Sequence, residues 1–348
     1  MRWRDRLLGW LRLRMRAETT PAPVRGTVDH VIILDGTLST LDEGRETNAG
    51  RLYKLLQEVA QSANGTPGRR LSVRYESGIQ WTGWRDSRNV IEGRGINRQI
   101  RRVYGFLASR YRPGDRIWLF GYSRGAYAVR SLAGLIDRVG LLKPEHATER
   151  NIRLAYRYYE RNGDSPGAGI FRERRCHPLV EVELVGVWDT VKALGLRLPV
   201  VWQWTERPHL FHNHELGPHI RHGYHALAMD ETREAFWPVM WKTRPGHTGT
   251  VEQVWFRGSH GDIGGQLSGF EAARPLANIP LVWMLEKSEA LGLPFPDGWR
   301  DRFPCDALAP SVGTMRGWGK VFLLRKRRIV GADASETVHP SARAAESA

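Results

Sequence analysis

The stretch RIWLFGYSRGA at residues 116–126 decides the fold. It opens with a short apolar and aromatic run, which is typical of a strand buried on both faces of a parallel sheet. The run leads directly into Gly-Tyr-Ser-Arg-Gly at 121–125, a G-x-S-x-G motif, and then into a helical pattern over 123–140. In this strand–turn–helix context the serine hydroxyl projects above the carboxyl edge of a sheet. The stretch therefore predicts a nucleophile at Ser123.

The segments on either side repeat the order of strand and helix. Strands are predicted at 30–34, 71–78, 116–120, 180–188 and 251–256, and helices at 48–64, 95–111, 123–140, 225–237 and 280–292. Strands that alternate with helices build βαβ units, whose strands run parallel and whose helices cover the sheet. We therefore expect an α/β-hydrolase-like fold, with a mainly parallel sheet and helices on both faces.

The chain of 348 residues is interpreted as one catalytic domain with two less regular ends. The α/β-hydrolase-like domain is predicted at 28–300. Residues 1–27 precede it as a basic amphipathic segment and linker. Residues 301–348 follow as a C-terminal extension, whose small and polar tail after about Val330 is predicted to be disordered.

Composition excludes several classes of protein. Aromatic residues make up 10% of the chain, which argues against general disorder. Cys176 and Cys305 are the only cysteines, so neither a disulfide framework nor a CxxC motif is present. No run of 18 apolar residues predicts a transmembrane helix, and the N-terminus lacks the apolar stretch of a secretory signal. We expect a cytoplasmic protein, or one bound peripherally to a membrane.

The formal net charge of +15 attracts anionic partners. The basic residues are spread along most of the chain and no nucleic-acid-binding motif is recognisable, so nucleic acid is not an expected partner. On a helix, the apolar residues between Trp3 and Met15 share one face, while the arginines of 1–16 fall largely elsewhere. This pattern is typical of a helix that contacts an anionic membrane surface, and the alternatives are a helix packed on the protein's own domain or a frayed terminus.

A serine nucleophile needs a base that takes its proton and an acid that orients the base. His260 is the predicted base because it lies just past the strand 251–256 in a glycine-rich loop. Asp189 is the predicted acid because it follows the strand 180–188 directly. Asp262, two residues beyond the histidine, is the alternative acid, or a residue that only shapes the loop.

The residues around the serine suit such a turn. Gly121 and Gly125 allow strand and helix to approach without a clash at Cβ. The side chain of Arg124 has two open roles: contact with an anionic head group, or a pair with a carboxylate that holds the turn. The alternative to a nucleophile is a glycine-rich turn that binds phosphate without covalent chemistry.

An ester hydrolase also needs two backbone N–H groups that stabilise the developing oxyanion. The N–H of Arg124, the residue after the nucleophile, is one candidate. The other is expected in the loop after the strand 30–34, at Gly36 or Thr37. Asp35, which begins this loop, is predicted either to fix the loop through backbone hydrogen bonds or to bind a metal.

Six histidines crowd the segment from His209 to His225, close to Trp202 and Trp204. We interpret this segment as a lid that meets an apolar substrate. A metal site is not expected there because neither supporting cysteines nor an HExxH helix is present. No metal and no cofactor are predicted for the protein.

Five ordered segments carry a resemblance to a known family. They are LDGT at 34–37, GYSRGAYAVRSLAGLI at 121–136, VGVWDTV at 185–191, HALAMDETREAFWPVMW at 225–241 and VWFRGSHGDIGG at 254–265. Together they resemble the bacterial type VI secretion phospholipase effectors, over about residues 30–292. The resemblance implies Ser123 as nucleophile with Asp189 and His260 as its partners, and hydrolysis of phospholipid acyl esters. It also implies delivery by a secretion machine, with a secretion or immunity partner.

The leading hypothesis is a serine hydrolase of carboxylic esters, of the lipase or phospholipase type, that uses a Ser-His-Asp triad on a lipid or other ester substrate. The alternative is a non-catalytic protein on the same fold, either a polyanion-binding protein or a secretion-associated scaffold.

Overall fold

A computed structural model describes residues 26–62, 69–78, 94–161, 163, 165–191, 216–243, 246, 248–316 and 324–344. Several predicted features lie outside these residues. They are the amphipathic helix at 1–16, Trp202 and Trp204 of the predicted lid, and the histidines from His209 to His214.

In the described part of the chain, seven strands form one sheet in the order β2-β1-β3-β4-β5-β6-β7. The strands are β1 (Thr27–Leu34), β2 (Arg69–Glu76), β3 (Arg116–Tyr122), β4 (Val182–Trp188), β5 (Ile220–Ala228), β6 (Thr250–Phe256) and β7 (Glu336–Val338). Every neighbouring pair is parallel. The prediction of an α/β fold with a parallel sheet is therefore confirmed.

Helices cover both faces of this sheet. They are α1 (Asn48–Ser62), α2 (Arg94–Arg110), α3 (Arg124–Val139), α4 (Glu149–Glu160), α5 (Pro166–Arg175), α6 (His260–Gly264), α7 (Arg274–Ala290) and α8 (Pro340–Ala344), with 3-10 turns at Pro144–His146, Glu234–Phe236, Glu271–Ala273 and Trp299–Arg302. Of the described helices, none combines the length and the apolar character needed to cross a membrane.

The core lies in two layers because successive side chains of a strand point to opposite faces. In β1, Ile32 and Leu34 pack with α2, α3 and α4 on one face. Val31 and Ile33 pack with α1 and α7 on the other face. All four side chains are fully buried, which explains why residues 31–34 of β1 form a continuous apolar run without alternation.

The helix predicted at 225–237 is wrong. The structure has the strand β5 up to Ala228, followed by the 3-10 turn Glu234–Phe236. β5 lies between β4 and β6, so its later residues are buried on both faces. A strand of this kind has no two-residue alternation, and its pattern cannot be distinguished from that of a buried helix.

The last long helix starts six residues earlier than the predicted 280, because α7 begins at Arg274. A proline is typical of the first turn of a helix, and Pro280 therefore resembles a helix start in the sequence. The structure instead carries α7 through Pro280, with Pro275 in the first turn.

The segment after Val330, for which the sequence predicts disorder, contains β7 and α8. β7 pairs with β6 through its backbone, with Glu336 opposite Gln253. The indole N–H of Trp255 also donates to the carboxylate of Glu336, at 2.8 Å. This short edge strand is held by backbone pairing and a polar contact, which composition does not reveal.

Candidate active site

The turn at Ser123 connects β3 directly to α3. Its backbone has φ 57° and ψ −120°, a conformation that costs a residue other than glycine about 1–3 kcal/mol. The N–H of Ser123 donates to the carbonyl of Trp188 at 3.0 Å, which ties the turn to the end of β4. This strained turn presents the hydroxyl at the carboxyl edge of the sheet.

Both glycines of the motif lie where a side chain has no room. A Cβ on Gly125 would lie 2.0 Å from the carbonyl oxygen of Leu34, and a Cβ on Gly121 would lie 2.7 Å from the Cα of Ala126. Contacts this short are with backbone atoms, which cannot turn aside. The close approach of α3 to β1 and β3 therefore requires glycine at both positions.

We expect Gly125→Ala to destabilise the fold by about 1–3 kcal/mol, because the backbone of Leu34 must move to admit the methyl group. Urea unfolding would measure the change. Gly169→Ala is the matched control: Gly169 lies in α5 with no atom within 4 Å of an added Cβ. This control should gain about 0.5–1 kcal/mol from helix propensity. Equal effects at both positions would contradict the packing argument.

Three strands bring the predicted triad residues together. Ser123 follows β3, Asp189 follows β4, and His260 lies four residues past the end of β6. His260 Nε2 lies 2.9 Å from Ser123 Oγ, and His260 Nδ1 lies 2.6 Å from Asp189 Oδ2. A carboxylate accepts the Nδ1 proton, which leaves Nε2 free to accept the proton of the hydroxyl. The order Ser–His–Asp is continuous and buried.

Asp262, the alternative acid, instead holds the histidine loop. It accepts hydrogen bonds from the N–H of Ser259 at 2.7 Å and from that of Val312 at 2.8 Å. Its carboxylate also accepts the hydroxyls of Ser259 and Ser311. With these contacts it caps α6, and it is Asp189 that contacts the imidazole.

Asp189 is fully buried and has positive φ, at 40°. Its carboxylate accepts the N–H of Ala228 at 3.1 Å as well as the imidazole, and it forms a two-point ion pair with Arg328. Burial alone would raise the pKa of Asp189. The positive charge of Arg328 and the hydrogen bonds from His260 and Arg328 outweigh that effect and hold the pKa well below its usual range. Asp189 is therefore ionised wherever the protein is folded near neutral pH.

Two aromatic rings enclose the imidazole of His260. The ring of Tyr122 stacks on it at 4.9 Å between centroids, and the ring of Phe236 lies at 4.8 Å. The backbone N–H of His260 donates to Glu231 Oε2 at 3.1 Å, and Glu231 is itself paired with Arg233. The segment after β5 therefore positions the histidine loop.

The loop after β1 lies against the nucleophile. A Cβ on Gly36 would lie 3.3 Å from the Cβ of Ser123. The N–H of Gly36 already donates to Asp35 Oδ1 at 2.6 Å, so it is engaged within the loop. Of the two predicted positions in this loop, Thr37 therefore stays the candidate for the oxyanion donor. The N–H of Arg124 stays the other candidate, since it lies in the first turn of α3 and has no partner within that helix.

Asp35 fixes this loop. Besides the N–H of Gly36, its carboxylate accepts the hydroxyls of Thr47 at 2.6 Å and of Tyr75 at 2.7 Å. Burial raises the pKa of Asp35, and these hydrogen bonds oppose the rise. Donors occupy both carboxylate oxygens, an arrangement that favours the loop-fixing role of the two predicted for Asp35. Over the described ranges, no cluster of three His, Cys, Asp or Glu side chains could hold a metal.

His225, the last of the crowded histidines, is a buried residue of β5. Its Nε2 accepts the N–H of Thr190 at 3.1 Å, and its ring packs edge-on against Trp241. Burial, followed by the charge of Arg130, lowers the pKa of His225 to about 3. It therefore stays neutral and supports the backbone next to Asp189.

A family model described as the catalytic domain of the Tle1-like type VI secretion phospholipase effectors matches residues 29–287, well over half of the chain. The chain belongs to this family. The resemblance seen in the five sequence segments is thereby confirmed.

Individual relatives of this Tle1-like chain are distant. An uncharacterized protein of Saccharomyces cerevisiae, YEL023C, is 26% identical over 232 residues, which is 59% of this chain and 31% of that protein. The structure of the Tle1 effector bound to the VgrG spike of the type 6 secretion system aligns with a TM-score of 0.39 and 19% identity, over 70% of this chain and 52% of that one. An uncharacterized protein from Pseudomonas aeruginosa aligns with a TM-score of 0.48 and 16% identity, over 85% and 50%. The chain thus spans about half the length of each of the two solved structures and about a third of the length of the yeast protein.

Arg328 is the site residue that sequence reasoning missed. It lies beyond the end of the Tle1-like match at 287, in the segment predicted to be a loose extension. It has no motif around it and stands 139 residues from its partner Asp189. The hydrogen bond of Glu231 to the histidine loop has no signal in the sequence either.

Proposed function

We propose that the protein is a serine hydrolase that cleaves the carboxylic esters of phospholipids. Membership of the Tle1-like phospholipase effector family supports the class of reaction. The observation that carries the proposed mechanism is the continuous chain from Ser123 Oγ through His260 to Asp189, with separations of 2.9 and 2.6 Å.

The reaction follows from this arrangement. Ser123 Oγ attacks the ester carbonyl while His260 Nε2 takes the hydroxyl proton, and Asp189 stabilises the imidazolium. The N–H groups of Arg124 and Thr37 donate to the oxyanion, where loss of one such donor costs an enzyme about 10²–10³ in kcat. His260 then gives its proton to the departing alcohol, the lysophospholipid. A water molecule, deprotonated by His260, releases the fatty acid from Ser123.

Hydrolysis of phospholipid vesicles tests this proposal. The purified protein should release fatty acid and lysophospholipid from vesicles, which are the products of acyl-ester cleavage. Release of a phosphorylated head group or of phosphatidic acid would contradict the proposal. A folded protein that hydrolyses no ester would favour the alternative of a non-catalytic scaffold.

The environment of the Arg124 side chain favours an anionic substrate. Its side chain is half-buried beside the nucleophile, and among the described residues it has no hydrogen bond or ion pair. Burial without a compensating carboxylate lowers the pKa of Arg124 to about 10. A guanidinium in this state gains most from a phosphate or similar anion. Of the two roles left open by the sequence, we therefore propose contact with the anionic head group.

We expect Arg124→Gln to lower kcat/KM for phosphatidylglycerol by about 10- to 100-fold, the value of a hydrogen bond to a charged group. Hydrolysis of p-nitrophenyl butyrate, which has no anionic group, should change by less than about threefold because the backbone N–H of residue 124 remains. The two substrates measured on one protein sample provide the control. An equal loss on both would contradict a role in head-group binding.

The other predicted partners stay predictions. A secretion machine and an immunity partner follow from the family, whose Tle1 member is bound to VgrG in its structure. Contact of residues 1–16 with an anionic membrane surface, and a cytoplasmic or peripheral location, also remain proposals.

A further inference from the structure

The carboxylate of Asp189 is held by a buried arginine on the side away from the histidine. Arg328 Nη1 donates to Oδ1 at 2.5 Å, and Nη2 donates to Oδ2 at 2.9 Å. The side chain of Arg328 is 1% exposed. This is the two-point geometry in which a guanidinium fixes both the position and the plane of a carboxylate.

The arginine is fixed in turn by backbone carbonyls. Nη1 donates to the carbonyl of Ala228 at 2.9 Å, and Nη2 donates to that of Phe236 at 2.5 Å. These carbonyls flank the segment that supports His260. Four hydrogen bonds therefore leave the guanidinium a single orientation.

The backbone that bears Arg328 is anchored on the same segment. The N–H of Lys326 donates to the carbonyl of Thr232 at 2.7 Å, and the N–H of Glu234 donates to that of Leu324 at 3.0 Å. β7 then continues the chain into the sheet beside β6. Residues 324–328 thus form a C-terminal strap across the back of the triad.

The arginine and the histidine share one oxygen of Asp189. Oδ2 accepts both His260 Nδ1 and Arg328 Nη2. The contact that fixes the carboxylate therefore also fixes the atom to which the imidazole donates. The other charges that face the loop are Glu231, on the backbone N–H of His260, and Arg233, which neutralises Glu231.

We propose that Arg328 is a positioning residue of the hydrolase, which fixes the plane of Asp189 and thereby the orientation of the His260 imidazole. The proposal rests on the proposed function, since it concerns the same triad. In this role the C-terminal strap, which lies outside the residues matched by the family model, supports the active centre.

Arg328→Gln and Arg328→Lys separate the two-point contact from the charge. The glutamine variant removes both. We expect its kcat to fall about 100-fold with KM within about twofold, because the carboxylate no longer holds the imidazole in one orientation. The lysine variant keeps the charge as a single point. We expect its kcat to fall about 10-fold with KM within about twofold, a partial rescue relative to glutamine.

Arg327→Gln and Arg327→Lys are the matched controls, because Arg327 is exposed on the adjacent position of the strap. Both should match the wild type in kcat and in KM. A folded Arg328→Gln variant with wild-type kcat would overturn the proposal. Absence of ester hydrolysis in the wild type would instead overturn the proposed function.

If the Arg328 variants do not fold, the proposal can be tested on the wild-type protein by NMR. With ¹⁵N-labelled arginine, one guanidinium should show four resolved Nη protons that exchange slowly with water, and these signals should broaden when a fluorophosphonate occupies the active site. Rapid rotation and exchange at every arginine would overturn the proposal.

Discussion

Replacement of Ser123 by alanine should lower kcat for ester hydrolysis by about 10⁵- to 10⁶-fold, the loss that follows removal of a serine nucleophile or its base. The imidazole of His260 lies 2.9 Å from Ser123 Oγ in the wild type, and in the variant it would have no hydroxyl to deprotonate. The turn itself should survive, because alanine keeps the Cβ and has the same backbone preferences as serine. Far-ultraviolet circular dichroism and the unfolding midpoint should therefore match the wild type.

Ser131→Ala is the matched control for this change. Ser131 lies two turns further along α3, is buried, and donates its hydroxyl to the carbonyl of Tyr127 at 2.9 Å. Its loss should cost no more than about 1 kcal/mol of stability and leave kcat unchanged. Activity that survives in Ser123→Ala, or disappears only in Ser131→Ala, would exclude Ser123 as the nucleophile.

Replacement of Asp189 by asparagine should lower kcat by about 10⁴-fold, as in a triad whose histidine is left in the wrong tautomer. An amide nitrogen that faces Nδ1 makes that atom an acceptor, which moves the ring proton to Nε2, where it blocks transfer from Ser123. The substitution also leaves the buried Arg328 without its counter-charge. We therefore expect a lower unfolding midpoint as well, because an unpaired buried charge is destabilising.

Asp262→Asn distinguishes the two aspartates. Asp262 accepts from the histidine loop and from Ser311 and Val312, but it does not contact the imidazole. We expect lower stability and a reduction in kcat of no more than about 10²-fold, since only the loop's position is affected. A larger catalytic loss in Asp262→Asn than in Asp189→Asn would identify Asp262 as the acid.

Strands and helices near the nucleophile could be predicted because their local signals agree with the fold. β1 and β3 contain short apolar runs, and α1, α2 and α3 have clear apolar faces. These three helices begin and end within two residues of the predicted bounds. β5 could not be recognised, because its later residues are buried on both faces and its histidines obscure the run. β7 was missed because it is only three residues long and gains its order from pairing with β6, a contact 83 residues away in sequence at Gln253 and Glu336.

In the candidate site, too, some residues could be predicted from the sequence and others could not. Ser123, Asp189 and His260 could be predicted because each follows a strand whose carboxyl end reaches the same edge of a parallel sheet. Asp35 was left with two roles, and the hydrogen bonds from Thr47 and Tyr75 favour loop fixation. Arg328 could not be found, because the arginine side chain is common in this chain and its contact depends on tertiary structure alone.

The role of Ser123 as nucleophile is tested most directly by reaction of the purified protein with a fluorophosphonate, followed by digestion with trypsin and mass spectrometry. We expect a single phosphonylated peptide, IWLFGYSR at 117–124, with the adduct on Ser123 and with loss of ester hydrolysis in proportion to labelling. The His260→Ala variant should react slower by several orders of magnitude. An adduct on another residue, or full hydrolytic activity without labelling of Ser123, would contradict a serine nucleophile at this position.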